Sequence, residues 1–310
     1  MMKIIDGQLL SQATQTAQDA PRLRANVNFH RNADDPFQRF LNAIEPSSYI
    51  RPHAHTDKDE IALALQGTCL VAIFTAEGII ERIVPIGAEL DSKGLEVPAN
   101  TFHTFISLSP GTVLFEAKAG PYHPENAKVF AEWAPEEGDE GMSEFREKII
   151  LAFTKERVLN EILMQGLIDR YYELKQPTKT AAQAAAALGV DVGQIAKSIV
   201  LLTEDGAALI VLLSGDRKVD VRKVKKFFGK KVRIASAVET LAATGYLVGS
   251  VSPFALLESV PIYVDTSLKG YSDIFPAAGG FQNGFRTSFA ELTTLFKYER
   301  CDFAAAVTGE

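Results

Sequence analysis

Residues 53–67 read His53-Ala54-His55-Thr56-Asp57-Lys58-Asp59-Glu60-Ile61-Ala62-Leu63-Ala64-Leu65-Gln66-Gly67. On a strand, residues two apart share a face, so His53 and His55 aim at one point. Glu60 has the opposite parity, and the turn-prone Asp57-Lys58-Asp59 predicts a turn that resets the register. Further on, Gly94-Leu95-Glu96-Val97-Pro98-Ala99-Asn100-Thr101-Phe102-His103 is a proline-turn entry into a strand carrying a third imidazole. Three imidazoles and a carboxylate suit a divalent transition metal with coordination positions left open, and this set does not distinguish Fe, Mn, Ni or Zn. A lone histidine is more often a satisfied polar residue. The HxH pair with Glu60, the closing Gly67 and the Pro98 turn before His103 together favour ligands. His30 and His123 fit no such geometry.

Around this stretch, residues 47–118 break into short apolar runs at Ala76-Glu77-Gly78, Pro85, Gly87, Gly94 and Pro110-Gly111. Many short strands at close spacing predict an all-β sandwich or barrel. Residues 36–44 (PFQRFLNAI) read as a short helix in front of it. The segment Ala134-Pro-Glu-Glu-Gly-Asp-Glu-Gly-Met-Ser143, with four acids, two glycines and a proline, predicts a flexible linker. Beyond it the pattern mixes helix and strand. Thr180-Ala-Ala-Gln183 is a capping box that Gly189 ends, Asp191–Gln194 is a second cap, and Glu204-Asp205-Gly206 is a hairpin signal between two apolar runs. A basic helix (DVRKVKKFFG), a strand (VRIAS) and a helix (AVETLAATG) follow, which implies an α/β domain with a mixed sheet.

The chain of 310 residues suits two domains, and its two cysteines, Cys69 and Cys301, have no paired spacing. Residues 1–150 carry 13 Lys+Arg against 22 Asp+Glu, whereas 151–310 carry 19 against 17. All five histidines precede residue 124. The opening residues lack the pattern of a secretory signal, and no apolar stretch is long enough to span a bilayer, so the expectation is a cytoplasmic protein with no membrane partner.

Between Arg217 and Arg233 stand nine basic residues against one acid, Asp220. Arg217, Lys218, Arg222, Lys223, Lys225 and Lys226 head the candidates for a phosphate backbone; the alternative is a solvated helix face. Lys197 sits at the mouth of an apolar strand, where a charge needs a partner. Gly245-Tyr-Leu-Val-Gly249-Ser250-Val-Ser252-Pro253 and Ala277-Ala-Gly279-Gly280 are turns that let a ligand approach backbone N–H groups.

The stretches RPHAHTDKDE, VPANTFHTF, FEAKAGPY and FAEWAP resemble the cupins, more narrowly the WbuC-type cupin metalloproteins, over about residues 1–138. That resemblance implies a double-stranded β-helix (jelly roll) with His53, His55, Glu60 and His103 as metal ligands in the barrel mouth. Asn100 stands where the general cupin pattern has Gly, and Ser107 where many cupins have Asn. The stretches TKTAAQAAAALGVDVGQIAKSIVL, SGDRKVD, KKVRIAS, TGYLVGSVSPF, VPIYVD and FPAAGG resemble the YbaK/ProX family of trans-editing aminoacyl-tRNA deacylases, over about 153–305. This second resemblance implies hydrolysis of a mischarged aminoacyl ester. It makes Lys197 the functional lysine, with Gly249, Ser250, Ser252, Pro253, Gly279 and Gly280 around the aminoacylated 3′ end. Phe281-Gln-Asn-Gly284 departs from the family's usual continuation.

The expected organisation is therefore a cupin over 1–138, an acidic linker and lead-in over 139–152, and an α/β deacylase domain with a mixed sheet over 153–310. With no histidine after position 123, a Ser–His or Cys–His device or a His/Cys zinc site built from the second half is excluded. A water nucleophile with glycine-turn N–H groups as oxyanion donors remains, and the deacylase half needs no cofactor. Expected partners are aminoacylated tRNA, an aminoacyl-tRNA synthetase, and a second copy through the cupin. The alternative reading is a small-molecule or sugar enzyme or sensor centred on the cupin, whose second half only binds tRNA or a synthetase.

Overall fold

The computed structural model describes residues 2–124 and 127–306. The chain forms two compact units that divide between Ile149 and Ile150.

The first unit opens with helix α1 (Gly7–Asp19), capped by the Asp6 side chain. Ten strands follow: β1 (Arg24–Asn28), β2 (Phe37–Ile44), β3 (His53–Ala54), β4 (Glu60–Gln66), β5 (Thr68–Phe74), β6 (Ile80–Gly87), β7 (Gly94–Val97), β8 (Phe102–Ser107), β9 (Thr112–Ala119) and β10 (Val129–Phe130). They make two five-stranded antiparallel sheets, ordered β1-β2-β9-β4-β7 and β10-β3-β8-β5-β6. Inward residues of both sheets, among them Ile44, Ala62 and Leu114 from one and Val71, Ile86 and Phe105 from the other, meet in one core. The short-strand spacing predicts a sandwich or barrel, and the two facing sheets form the jelly roll that the cupin resemblance implies. Helix α1 closes the outside of the first sheet through Ala13 and Ala17 against Leu41, Ala43 and Val113.

Residues 37–44 are strand β2, not the short helix that the sequence suggested. The segment pairs with β1 on one side and β9 on the other, so ladder hydrogen bonds and two-sided burial override its local preference. The acidic stretch at 134–143 also differs from a free tether. Glu137 pairs with Arg22 and Arg24, Glu136 pairs with Arg51, and Trp133 packs against Phe74 and Phe102. Residues 142–152, read as linker and lead-in, lie inside helix α2 (Met142–Met164). The acids found arginines far away in sequence, which composition alone does not reveal.

In the second unit, β11 (Tyr171–Glu173) pairs with β18 (Asn283–Phe285). Between them come α3 (Ala181–Leu188), β12 (Ile195–Thr203), β13 (Ala208–Ser214), β14 (Arg217–Val219), α4 (Val221–Phe228), β15 (Val232–Ile234), α5 (Ala237–Thr244), β16 (Ile262–Asp265) and β17 (Phe275–Pro276). Helix α6 (Leu292–Leu295), β19 (Glu299–Cys301) and β20 (Ala304–Ala306) complete it. The central sheet runs β15-β12-β13-β16-β19, with β17 also on β12; β12–β13 is antiparallel and β13–β16 parallel. The mixed sheet is buried on both faces. Ile210 and Leu212 of β13 enter one apolar cluster, Leu209, Val211 and Leu213 the other. The caps form as read, Thr180 with Gln183 and Asp191 with Gln194, and Gly189 ends α3 at φ 69°; a further capping box, Ser236 with Glu239, opens α5. Among the described residues, no helix is long and apolar enough to cross a membrane.

Candidate functional site

In the first unit the β3–β8 ladder sets His53 directly opposite His103. Just past β3, the carbonyl of His55 accepts from the N–H of Asn100, which takes a left-handed φ of 61°. Asparagine tolerates that conformation, so the turn before His103 survives without the family's glycine. Glu60 opens β4 in the other sheet, because the 56–59 turn carries the chain across the barrel. The ligand atoms of His53, His55, Glu60 and His103 lie within 4.8 Å of one another, and all four residues are buried.

Each imidazole is held the same way. Nδ1 faces a backbone carbonyl: Arg51 O at 3.0 Å for His53, Ala127 O at 2.6 Å for His55, Thr101 O at 2.9 Å for His103. A carbonyl only accepts, so each Nδ1 carries a hydrogen, which leaves Nε2 as the nitrogen directed into the cluster. Burial first, then the charge of Lys128, keeps the His53 imidazole well below its ordinary pKa, in the neutral form that ligates. His103 Nε2 stands 3.0 Å from Glu60 Oε2. Two acceptors this close require a proton or a metal ion between them. Burial opposes the charge on Glu60, but His103, His55 and Lys118 outweigh it and hold the carboxyl well below the usual range. The donor set therefore fits a divalent transition metal.

Four neighbours escaped the sequence reading. Lys118 donates to Glu60 Oε1 and lies 3.2 Å from His55 Nε2. Glu116 accepts from Asn42 Nδ2 at 2.7 Å, and burial, then the charge of Glu60, pushes its carboxyl up to about 7. Burial, then the charge of Lys118, pushes Lys128 down to about 8. The signal was present in FEAKAGPY. Glu116 and Lys118 share one parity on an otherwise apolar strand, so two charges must face the barrel interior. Ser107, by contrast, bonds Ser109 O and the Thr112 hydroxyl and takes no part in this cluster.

The second unit presents a cavity of about 460 Å³ lined by Lys197, Gly215, Gly249, Gly280, Tyr172 and Asn283, among others. Lys197 is half-buried and donates to Gly215 O at 3.1 Å. Burial lowers its pKa, partly offset by Asp216. Gly249 takes φ 92°, and a Cβ there would stand 3.3 Å from Lys179 O; a Cβ on Gly280 would lie 2.2 Å from Asn283 Oδ1. The left-handed backbone at Gly249 favours glycine, and at Gly280 a side chain would have to displace that of Asn283. Among the described residues, no protein acceptor takes the backbone N–H of Gly249 or of Gly280.

The other turn residues act behind the wall. Ser250 Oγ donates to Leu247 O, Ser252 Oγ accepts from Phe254 N, and both serines are fully buried. Gly279 brings its carbonyl to the Thr154 hydroxyl at 2.5 Å, and Pro253, like Gly279, is outside the lining. Lys179 was missed by the sequence reading; its ammonium sits 4.8 Å from the Phe281 ring at the rim of the cavity. Cys301 is buried and its thiol is pushed up to about 12 by burial, then by Asp265, so it is no nucleophile.

The basic run is partly neutralised by acids, some local and some from elsewhere in the chain. Lys230 pairs with Asp205, Arg233 with Glu239, Lys223 with Asp302, Arg222 with Asp220 and Arg217 with Asp216. Among the described residues Lys218, Lys225, Lys226 and Lys231 have no acidic partner, and all four are exposed.

Residues 175–295 match the aminoacyl-tRNA editing domain, and residues 5–86 match a domain of unknown function, DUF6016. YwhH of Bacillus subtilis strain 168, an uncharacterized protein, is 37% identical over 121 residues, which are 39% of this chain and 74% of that protein. EbsC of Enterococcus faecalis, a candidate Cys-tRNA(Pro)/Cys-tRNA(Cys) deacylase, is 30% identical over 130 residues, 37% of this chain and 77% of that one. Among solved structures, a candidate trans-editing enzyme for prolyl tRNA synthetase shares 32% identity over 49% of this chain and 98% of its own, with a TM-score of 0.46.

Proposed function

Because this chain belongs to the aminoacyl-tRNA editing family through residues 175–295, we propose that its second unit hydrolyses the ester of a mischarged aminoacyl-tRNA. The observation that carries the reading is the cavity itself. One half-buried ammonium, Lys197, shares its wall with two glycines whose N–H groups have no protein acceptor among the described residues, in a unit that contains no histidine.

Water attacks the carbonyl carbon of the aminoacyl ester, and the oxyanion that forms takes hydrogen bonds from the N–H groups of Gly249 and Gly280. The C–O bond to the terminal ribose then breaks, and the ribose hydroxyl leaves with a proton. Lys197 positions the terminal nucleotide through its phosphate or hydroxyl, and a compact ammonium already anchored on Gly215 O suits that task. Lys218, Lys225 and Lys226 extend the positive surface to the tRNA backbone. The partner is tRNA, and a synthetase that releases mischarged tRNA is the second partner of the reading.

His53, His55, Glu60 and His103 of the first unit would hold a divalent transition metal, which when bound polarises an oxygen ligand or acidifies a water. No residue of the deacylation device belongs to this cluster. Single-turnover hydrolysis of alanyl-, cysteinyl-, seryl- and threonyl-tRNA by the full chain tests the reading. Turnover of one or more supports it, whereas tRNA binding without hydrolysis of any would leave the second unit a binding module.

A further inference from the structure

The barrel of the first unit opens into a cleft of about 850 Å³, and two groups on its wall are left incomplete. Asn42 is more than nine-tenths buried; its Nδ2 is spent on Glu116, and its Oδ1 is buried without a partner. A buried amide oxygen left unpaired is costly, so this atom calls for a donor from outside the protein. Lys128 is the second. The other cations on the wall are engaged: Arg22 and Arg24 with Glu137, Arg51 with Glu136, Arg31 with Asp35, Lys118 with Glu60. Among the described residues Lys128 alone of these has no acceptor.

The wall therefore offers one uncompensated positive charge and one orphaned acceptor, with further amides from Asn26, Asn28 and Gln38 beside them. A hydroxyl satisfies Asn42 Oδ1, and an anion satisfies Lys128. With one uncompensated cation on the wall, a dianion such as a phosphate monoester would bring a second negative charge that finds no partner there. A monocarboxylate matches the single free charge. Its hydroxyls match an amide-lined wall better than an apolar body would.

We infer that this cleft binds a small hydroxylated monocarboxylate, with Lys128 pairing the carboxylate and Asn42 accepting from a hydroxyl. His53 lines the same cleft, so the metal-ligating cluster faces the bound molecule. The assignment adds a ligand to the proposed metal site without depending on it, since neither Asn42 nor Lys128 is a ligand of that site.

Calorimetric titration of the full chain, both chelator-treated and metal-loaded, tests it. The probes are D-galacturonate and D-glycerate, with D-galactose, acetate and glucose 6-phosphate as controls. The expected result is that at least one hydroxy acid binds at least tenfold more tightly than D-galactose and than acetate. Galacturonate winning over glycerate assigns a sugar acid, and the reverse assigns a short hydroxy acid. Lys128→Gln should remove the preference for acid over neutral sugar while leaving metal content unchanged. Asn42→Ala should weaken the hydroxy acids at least tenfold, with folding checked by circular dichroism. Should Asn42→Ala not fold, Lys128→Gln alone decides the question. Equal binding of galactose and galacturonate, tighter binding of glucose 6-phosphate, no binding of either hydroxy acid in either metal state, or an unchanged preference in Lys128→Gln would each overturn the inference. Absence of metal uptake would remove the metal reading and leave this one standing.

Discussion

Glu60 and Lys118 stand directly opposite each other in the β4–β9 ladder, and the lysine ammonium donates to the glutamate carboxylate inside the proposed metal cluster. A cation of the protein thus sits on the ligand that a metal ion would use.

Metal uptake has to displace that ammonium from Glu60 and from His55. Lys118→Met should therefore tighten divalent metal binding by about tenfold or more, since a charge-assisted hydrogen bond contributes roughly 1.5–3 kcal/mol. Competition against a chromophoric chelator reads the change. Loss of affinity would instead make Lys118 a support for the cluster. His53→Ala with His55→Ala should abolish stoichiometric metal in elemental analysis, whereas Glu60→Gln should only weaken it because three imidazoles remain.

Replacing Lys197 by Ala should cut single-turnover deacylation by about 10²-fold or more, the scale of one lost transition-state donor. The fold should survive, because among the described residues Gly215 O is the only group that loses its donor. Lys197→Arg should rescue poorly, since a planar fork cannot replace a compact ammonium here. The His53/His55 double variant should deacylate at the wild-type rate. Near wild-type hydrolysis by a folded Lys197→Ala protein would remove the lysine from the mechanism.

The pairing of the basic run sharpens what charge reversal should do. Lys225→Glu with Lys226→Glu should flatten the salt dependence of tRNA binding by roughly one in slope for each phosphate that no longer meets a lysine. Lys230→Glu and Arg233→Glu should change it less, because Asp205 and Glu239 already occupy those charges. Filter binding across a salt series measures both. Identical slopes for the two pairs of variants would reduce the patch to a solvated face.

Glu116 makes stability depend on pH. Its folded pKa, about 7, lies above the ordinary 4.5, so the folded state holds a proton that the unfolded chain has released between those values. That stabilisation is complete below about 4.5 and is lost as pH rises through about 7. Glu116→Gln should therefore raise the thermal midpoint of the first unit more at pH 8 than at pH 5, by an amount worth up to about 3 kcal/mol. An equal shift at both values would mean that the carboxyl is not held protonated.

Much of this was legible in the residues because the signals were local. The HxH pair, the Asp57–Asp59 turn and the Pro98 entry fix the cluster through strand parity, and the two capping boxes fix helix starts within four residues. Residues 36–44 misled for the opposite reason. Nothing nearby says that β1 and β9 flank them, and pairing partners up to about eighty residues away decide the conformation. The same distance hid Asp302 from Lys223 and Asn42 from Glu116. The charge of a run is local information; its neutralisation is not.

The hydrogen bond between Thr154 and Gly279 bears on how the editing unit can be excised. The matched family segment starts at residue 175, yet the Thr154 hydroxyl holds the Gly279 carbonyl next to the glycine at the cavity wall, and Val158 and Ile162 belong to the same apolar core as Phe285. A fragment cut at the family boundary would lack a strut beside this cavity and expose that core. The smallest self-sufficient editing fragment therefore begins at or before Ile150, within α2 rather than after it.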